Sequence, residues 1–146
     1  MCNANVIFVF DARWKAGDIM RRVLINMQNM LFCNAISEIL RRSENELDPY
    51  TVDSPDQVED ECKWIAPHIL LMEVTGYARW RMEARMELRN NLKRLYPDCK
   101  IVLVVDENAE KAIAKQVKQA KKDGLIDQFI YSSITATYLA DIVDSL

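Results

Sequence analysis

The chain has 146 residues, half of them apolar and 28% charged, the composition of one folded domain with a proper core. Its net charge of -3 gives no global reason to expect nucleic acid or an anionic membrane as partner. Four scattered cysteines (Cys2, Cys33, Cys62, Cys99) and one histidine, His68, make neither a disulfide framework nor a zinc set, no apolar run reaches the roughly 18 residues of a membrane span, and no basic region precedes the apolar N-terminus as in a secretory signal. Reduced thiols in a cytoplasmic protein are the expectation.

Residues 5–10 (NVIFVF) read as a strand, and a second strand candidate, 22–25 (RVLI), follows closely. From Met30 the pattern turns helical, with Leu31, Phe32, Ala35, Ile36, Ile39 and Leu40 on one face up to Arg41 and Arg42. Polar residues 43–48 predict a loop and 50–52 a short strand. Ser54, Pro55 and Gln57 have the spacing of an N-cap, a first helical residue and a capping-box partner. That helix would turn Val58, Cys62 and Ile65 inward. Pro67 ends it, and 67–73 (PHILLME) is a short apolar run that predicts a strand buried on both faces. Glu73 closes the strand where chemistry gathers in an open α/β sheet, beyond the carboxyl ends.

A helix is predicted over 77–95, with Trp80, Ala84, Leu88, Leu92 and Leu95 inside and Arg79, Arg81, Arg85 and Arg89 outside. Residues 101–105 (IVLVV) are another buried strand. Asp106 should open the next helix as its cap, with Ala109, Ala112, Ile113, Val117 and Ala120 on its core side. Residues 127–131 (DQFIY) are the last strand and 135–146 the last helix, with Tyr138, Leu139, Ile142, Val143 and Leu146 buried. The alternation from residue 22 onward predicts a three-layer α/β/α domain. With right-handed crossovers the best fit is a flavodoxin-like, five-stranded parallel sheet in order 2-1-3-4-5.

These segments resemble the receiver domain of bacterial two-component response regulators, nearest the branch that carries a helix-turn-helix domain behind the receiver. Residues 22–36 (RVLINMQNMLFCNAI) are similar to that branch's RVLIVDDHPLFREAL, 67–74 (PHILLMEV) to PDVVLLDV, and 124–133 (GLIDQFIYSS) to GADDYLLKP. The resemblance covers residues 20–146 and leaves 1–19 as an extension, expected as an added edge strand or a groove cover, here or on a second subunit. A competing reading makes 5–10 the first strand, gives Asp11 to the acidic pair, and turns 17–42 into one long helix. It inserts extra residues between the pair and the acceptor, so the first alignment is preferred.

The resemblance implies a Mg²⁺-dependent phosphotransfer device that needs an acidic pair, an acceptor aspartate, a hydroxyl and a lysine. The acidic pair falls on Met27 and Gln28, the acceptor on Glu73, the hydroxyl on Val105 and the lysine on Ser132, with Ser133 for the usual proline. A thioether is no ligand for a hard cation, and glutamate is one methylene longer than aspartate. Neither a metal nor a cofactor is expected, nor catalysis. Glu73 is read as a tolerated residue ahead of a fixed negative charge imitating activation, and His68 as a strand opener. The reading is a degenerate, stand-alone receiver that signals by protein–protein contact; the alternatives are altered acceptor chemistry at Glu73, or a transcription regulator lacking its DNA-binding half. Partners would be a signalling protein or a second copy, through a face carrying Lys111, Lys115, Lys118, Tyr131 and Tyr138, as the resemblance implies. The lysines read first as a solvated helix face.

Overall fold

The structure, a computed structural model, describes residues 20–42 and 46–146. The expected edge strand at 5–10 and Asp11 lie outside the described residues. Five strands, β1 (Arg21–Asn26), β2 (Leu47–Thr51), β3 (Ile69–Val74), β4 (Lys100–Val105) and β5 (Gln128–Tyr131), form one parallel sheet in order β2-β1-β3-β4-β5. The helices are α1 (Met30–Arg42), α2 (Val58–Ile65), α3 (Met82–Leu95), α4 (Lys111–Lys122) and α5 (Ala136–Asp144). This is the predicted topology. With a strand at Arg21–Asn26, the long helix over 17–42 is overturned.

β3 has the composition its place demands. Leu70, Met72 and Val74 turn to one face and join Leu24, Ile101, Leu103 and Val105 beneath α2, α3 and α4. Ile69 and Leu71 turn to the other and join Val23, Ile25, Val102 and Val104 beneath α1 and α5. Each such side chain taken fully from water contributes about 1.5–3 kcal/mol. Cys33, Cys62 and Cys99 are buried free thiols within these layers. Burial is the first cause that pushes their pKa values up, to about 11, about 12 and about 11.

Several local expectations are corrected. β2 begins at Leu47, three residues before the strand expected at 50–52, within the expected loop, and it includes Pro49. The Val52 N–H donates to Ile25 O, so by alternation the missing N–H of Pro49 falls on the side away from β1 and breaks no bond. Ser54 caps a single 3-10 turn, Pro55–Gln57, before α2 begins. The helix expected over 77–95 is interrupted: a 3-10 turn at Ala78–Trp80 and an extended Arg81 precede α3. This resets the helical phase, so Arg85 is buried, Trp80 only half-buried, and Leu95 exposed. Asp106 caps a turn and α4 starts later, at Lys111, which places Ala114 rather than Ala112 on the core side. Tyr138, expected inside, is 54% exposed, and Ala140 is buried in its stead.

The base of the sheet is closed by Arg22. Its Nε donates to Ile65 O at 2.7 Å and its Nη2 to Ala66 O at 2.9 Å, satisfying carbonyls at the end of α2. The Arg22 backbone N–H donates to His68 Nδ1 at 3.0 Å, a bond that requires an unprotonated nitrogen. Partial burial, then the charges of Arg22 and Arg21, hold the His68 pKa below its ordinary 6.5. In that window the unfolded chain binds the proton that the folded chain refuses, so stability is present above pH 6.5 and is lost as pH falls toward the lowered value. Urea midpoints measured from about pH 8 to about pH 5 should fall for the wild type more steeply than for His68→Gln. Parallel curves for the two proteins would refute this coupling.

Candidate functional site

Parallel strands bring their carboxyl ends to one edge, and there the residues after β1, β3, β4 and β5 surround a cavity of about 360 Å³. Met27 and Phe32 form its apolar wall, Glu73 comes from β3, and Asp106, Ser132 and Ser133 close the far side. Asn29 opens α1 on the rim, its Oδ1 accepting the Phe32 N–H at 3.1 Å.

Glu73 is fixed at both ends. Its Oε1 accepts the Gln28 backbone N–H at 2.5 Å, and its main-chain carbonyl accepts from Arg85 Nε at 2.9 Å. Met27 is 1% exposed and packs into the α1/α5 core, so its thioether fills space beside the carboxylate. Gln28 is exposed and contributes its main chain. Val105 is buried among Leu103 and Val74 and does not line the cavity; its neighbour Asp106 does. Asp106 Oδ1 accepts the N–H groups of Asn108 and Ala109, both at 3.0 Å, as an Asx-type turn. Ser133 Oγ donates to Glu107 Oε2 at 2.7 Å, while Glu107 Oε1 is buried without a partner among the described residues. The structure thus brings Met27, Glu73 and Ser132 to one cavity, with the Gln28 main chain at its edge. It keeps Val105 out.

The family's Mg²⁺ does not fit these residues. A hard cation takes several oxygen ligands in fixed geometry, and the cavity offers Glu73, already bonded to Gln28, and Asp106, already bonded to two amides. Met27, which also lines the cavity, has only a thioether to offer. Among the described residues no three His, Cys, Asp or Glu side chains are grouped to hold a metal ion.

The candidate contact face lies along the β5 margin of the sheet. Lys111, Lys115 and Lys118 are exposed on α4, Tyr138 is exposed on α5, and Tyr131 is half-buried against Phe129 at 5.6 Å between ring centroids. The sequence reading missed Arg85 as a buried residue. Its signal was present: Met82, Leu88 and Leu92 share one helical stripe with Arg85, at spacings of three, three and four, and the three apolar residues pack on the α2/α3/α4 core.

Among the described residues no helix is long and apolar enough to cross a membrane. No family model and no curated protein matches the chain in sequence. Solved structures do match in shape. A CheY-like response regulator receiver domain from Methanospirillum hungatei JF-1 superposes with a TM-score of 0.69 at 12% identity, over 87% of this chain and 93% of that one. The phosphorylated cyanobacterial phytochrome response regulator RcpA gives 0.64 at 15% identity, over 87% and 91%. An orphan response regulator of H. pylori gives 0.64 at 11% identity, over 86% and 94%. At these identities the likeness concerns the fold, and with the strand order above it is plain: this chain is built as a response-regulator receiver domain is built.

Proposed function

We propose that the chain is a degenerate receiver, a cytoplasmic signalling module that works through protein–protein contact and takes no phosphoryl group. One observation carries this reading: beside Glu73 stand the buried Met27 thioether and the Gln28 main chain, at the positions the resemblance gives to the acidic pair. Phosphoryl transfer gains its rate from positioning and from charge stabilisation, and among the described residues the lining of this cavity includes neither a grouped set of metal ligands nor a lysine to supply them. The Glu73 carboxylate is bonded to a backbone amide at 2.5 Å, which orders it as a fixed part of the fold. Signalling would then pass through the surface. The exposed Lys111, Lys115 and Lys118 with Tyr138 and Tyr131 support a contact face for an acidic protein surface, or for a second copy of the chain. Catalysis has no part in this reading.

Asp106 beside Glu73 is the one observation that favours the second reading, altered acceptor chemistry. The two are separated by the intact mass of the protein after incubation with a small phosphodonor and Mg²⁺, with Glu73→Gln alongside. An unchanged mass is expected for both proteins. A gain of one phosphoryl group that Glu73→Gln abolishes would overturn the pseudo-receiver reading. Restoring a family carboxylate should also have a cost: Met27→Asp places a charge at a position 1% exposed and is expected to lower unfolding stability by about 2 kcal/mol or more. Chemical denaturation checks it, and an unchanged midpoint at neutral pH would show that the site tolerates the charge.

A further inference from the structure

A second cavity, of about 400 Å³, lies on the opposite face of the sheet between the segment leading into α2 and the turn leading into α3. Arg85 forms part of its wall, at 1% exposure. The guanidinium makes one hydrogen bond, from Nε to the Glu73 carbonyl, and its carbon lies 4.9 Å from the centroid of the Trp80 ring. Nη1 and Nη2 are buried without a hydrogen-bond partner among the described residues. Burial drives the Arg85 pKa down to about 10, yet the group keeps its charge at neutral pH. A buried cation with so few acceptors is costly, and the cost falls when an anion meets its planar donors edge-on.

The surroundings decide which anion. Asp56 is engaged by Arg79 at 3.1 Å, and Arg81 adds one further positive charge. Against these stand Glu59, Glu83 and Glu87 on the same walls. Three carboxylates repel a multiply charged anion such as phosphate, and they attract an ammonium group. We propose that this cleft binds a small zwitterion, a free α-amino acid in class, with its carboxylate on Arg85 Nη1 and Nη2 and its ammonium among Glu59, Glu83 and Glu87. The volume is that of a small-molecule site.

Entry runs past one turn. Trp80 covers the guanidinium from the 3-10 turn Ala78–Trp80, which is held by the Trp80 N–H to Tyr77 O bond at 2.9 Å and the Thr75 N–H to Trp80 O bond at 3.0 Å. Ala78 sits at φ 43, in the left-handed region that a residue with a Cβ avoids. Binding in the proposed manner requires this turn to shift, which would relieve the strain at Ala78 and bare the two nitrogens to the cleft.

The test is a titration of the full chain followed through the Trp80 indole N–H resonance, identified among the three tryptophans by its loss in Trp80→Phe. Free neutral amino acids are the probes, each against its N-acetyl form, its methyl ester, and inorganic phosphate. Expected is a saturable shift with at least one free amino acid, at least about tenfold weaker for both blocked forms. Arg85→Met, close in volume, should abolish it. Glu87→Gln, on the exposed rim and safe for folding, should weaken it about two- to fivefold, the worth of one exposed ion pair. No saturable shift with any free amino acid up to about 10 mM overturns the proposal. So does equal binding of the N-acetyl form, or tighter binding of phosphate, since each assigns the cleft to a simple anion.

Discussion

The molecule depends on the parallel pairing of β3 with β1 on one side and β4 on the other, which puts Ile69–Val74 in the middle of the sheet. A strand so placed meets helices on both faces and has no polar face to show, so its residues must be apolar until the chain leaves the sheet. Glu73 is where that obligation ends. Its side chain belongs to the α1/α5 side and its carbonyl is gripped from α3 on the other, through Arg85. One residue therefore joins the two layers at the edge where receivers keep their chemistry. Glu73 lines the cavity, and Arg85, which holds its carbonyl, lines the cleft.

Electrostatics separate the two openings. In a phosphorylating receiver the anionic cluster is balanced by a divalent cation and a lysine. On the reading proposed above the balance is reached by removal: Met27 and Ser132 are neutral, and Glu73 and Asp106 accept backbone amides. Amide donors stabilise a carboxylate in place without recruiting an ion. Among the described residues the buried side-chain atoms without a partner are Asn26 Oδ1, Ser37 Oγ, one oxygen of Glu107 and both terminal nitrogens of Arg85. Buried groups of this kind mark where a fold has stopped optimising itself.

How much of this was legible in the sequence follows from what each signal measures. The strand 67–73 and the strand 101–105 declared themselves because burial on both faces leaves a continuous apolar run, and the order of the sheet followed from alternation and handedness. Edges were harder. β2 contains Pro49, which reads as a breaker until its pairing side is known. Helix phase was the weakest point, since the left-handed Ala78 and the extended Arg81 rotate everything behind them, and neither is marked by glycine or proline. That single local event moved Arg85 from the predicted outer face to the core. The cavity residues Met27, Glu73 and Ser132 were placed by alignment with strand ends, which register preserves. Val105 was not, because side-chain direction alternates along a strand and a shift of one residue exchanges core for cavity.

Pro49 has a consequence for how this sheet meets other chains. Among the described residues β2 is an outer strand, and such an edge ordinarily offers a repeating row of donors and acceptors to any extended segment nearby. Of the three residues that face that edge, Leu47, Pro49 and Thr51, the middle one has no donor, and the ring of Pro49 stands where an incoming backbone would have to approach. Growth of the sheet by addition, whether as orderly dimer or as aggregate, is thereby turned toward the β5 margin. The same proline that hid β2 in the sequence protects the folded domain from sticking to itself on that side.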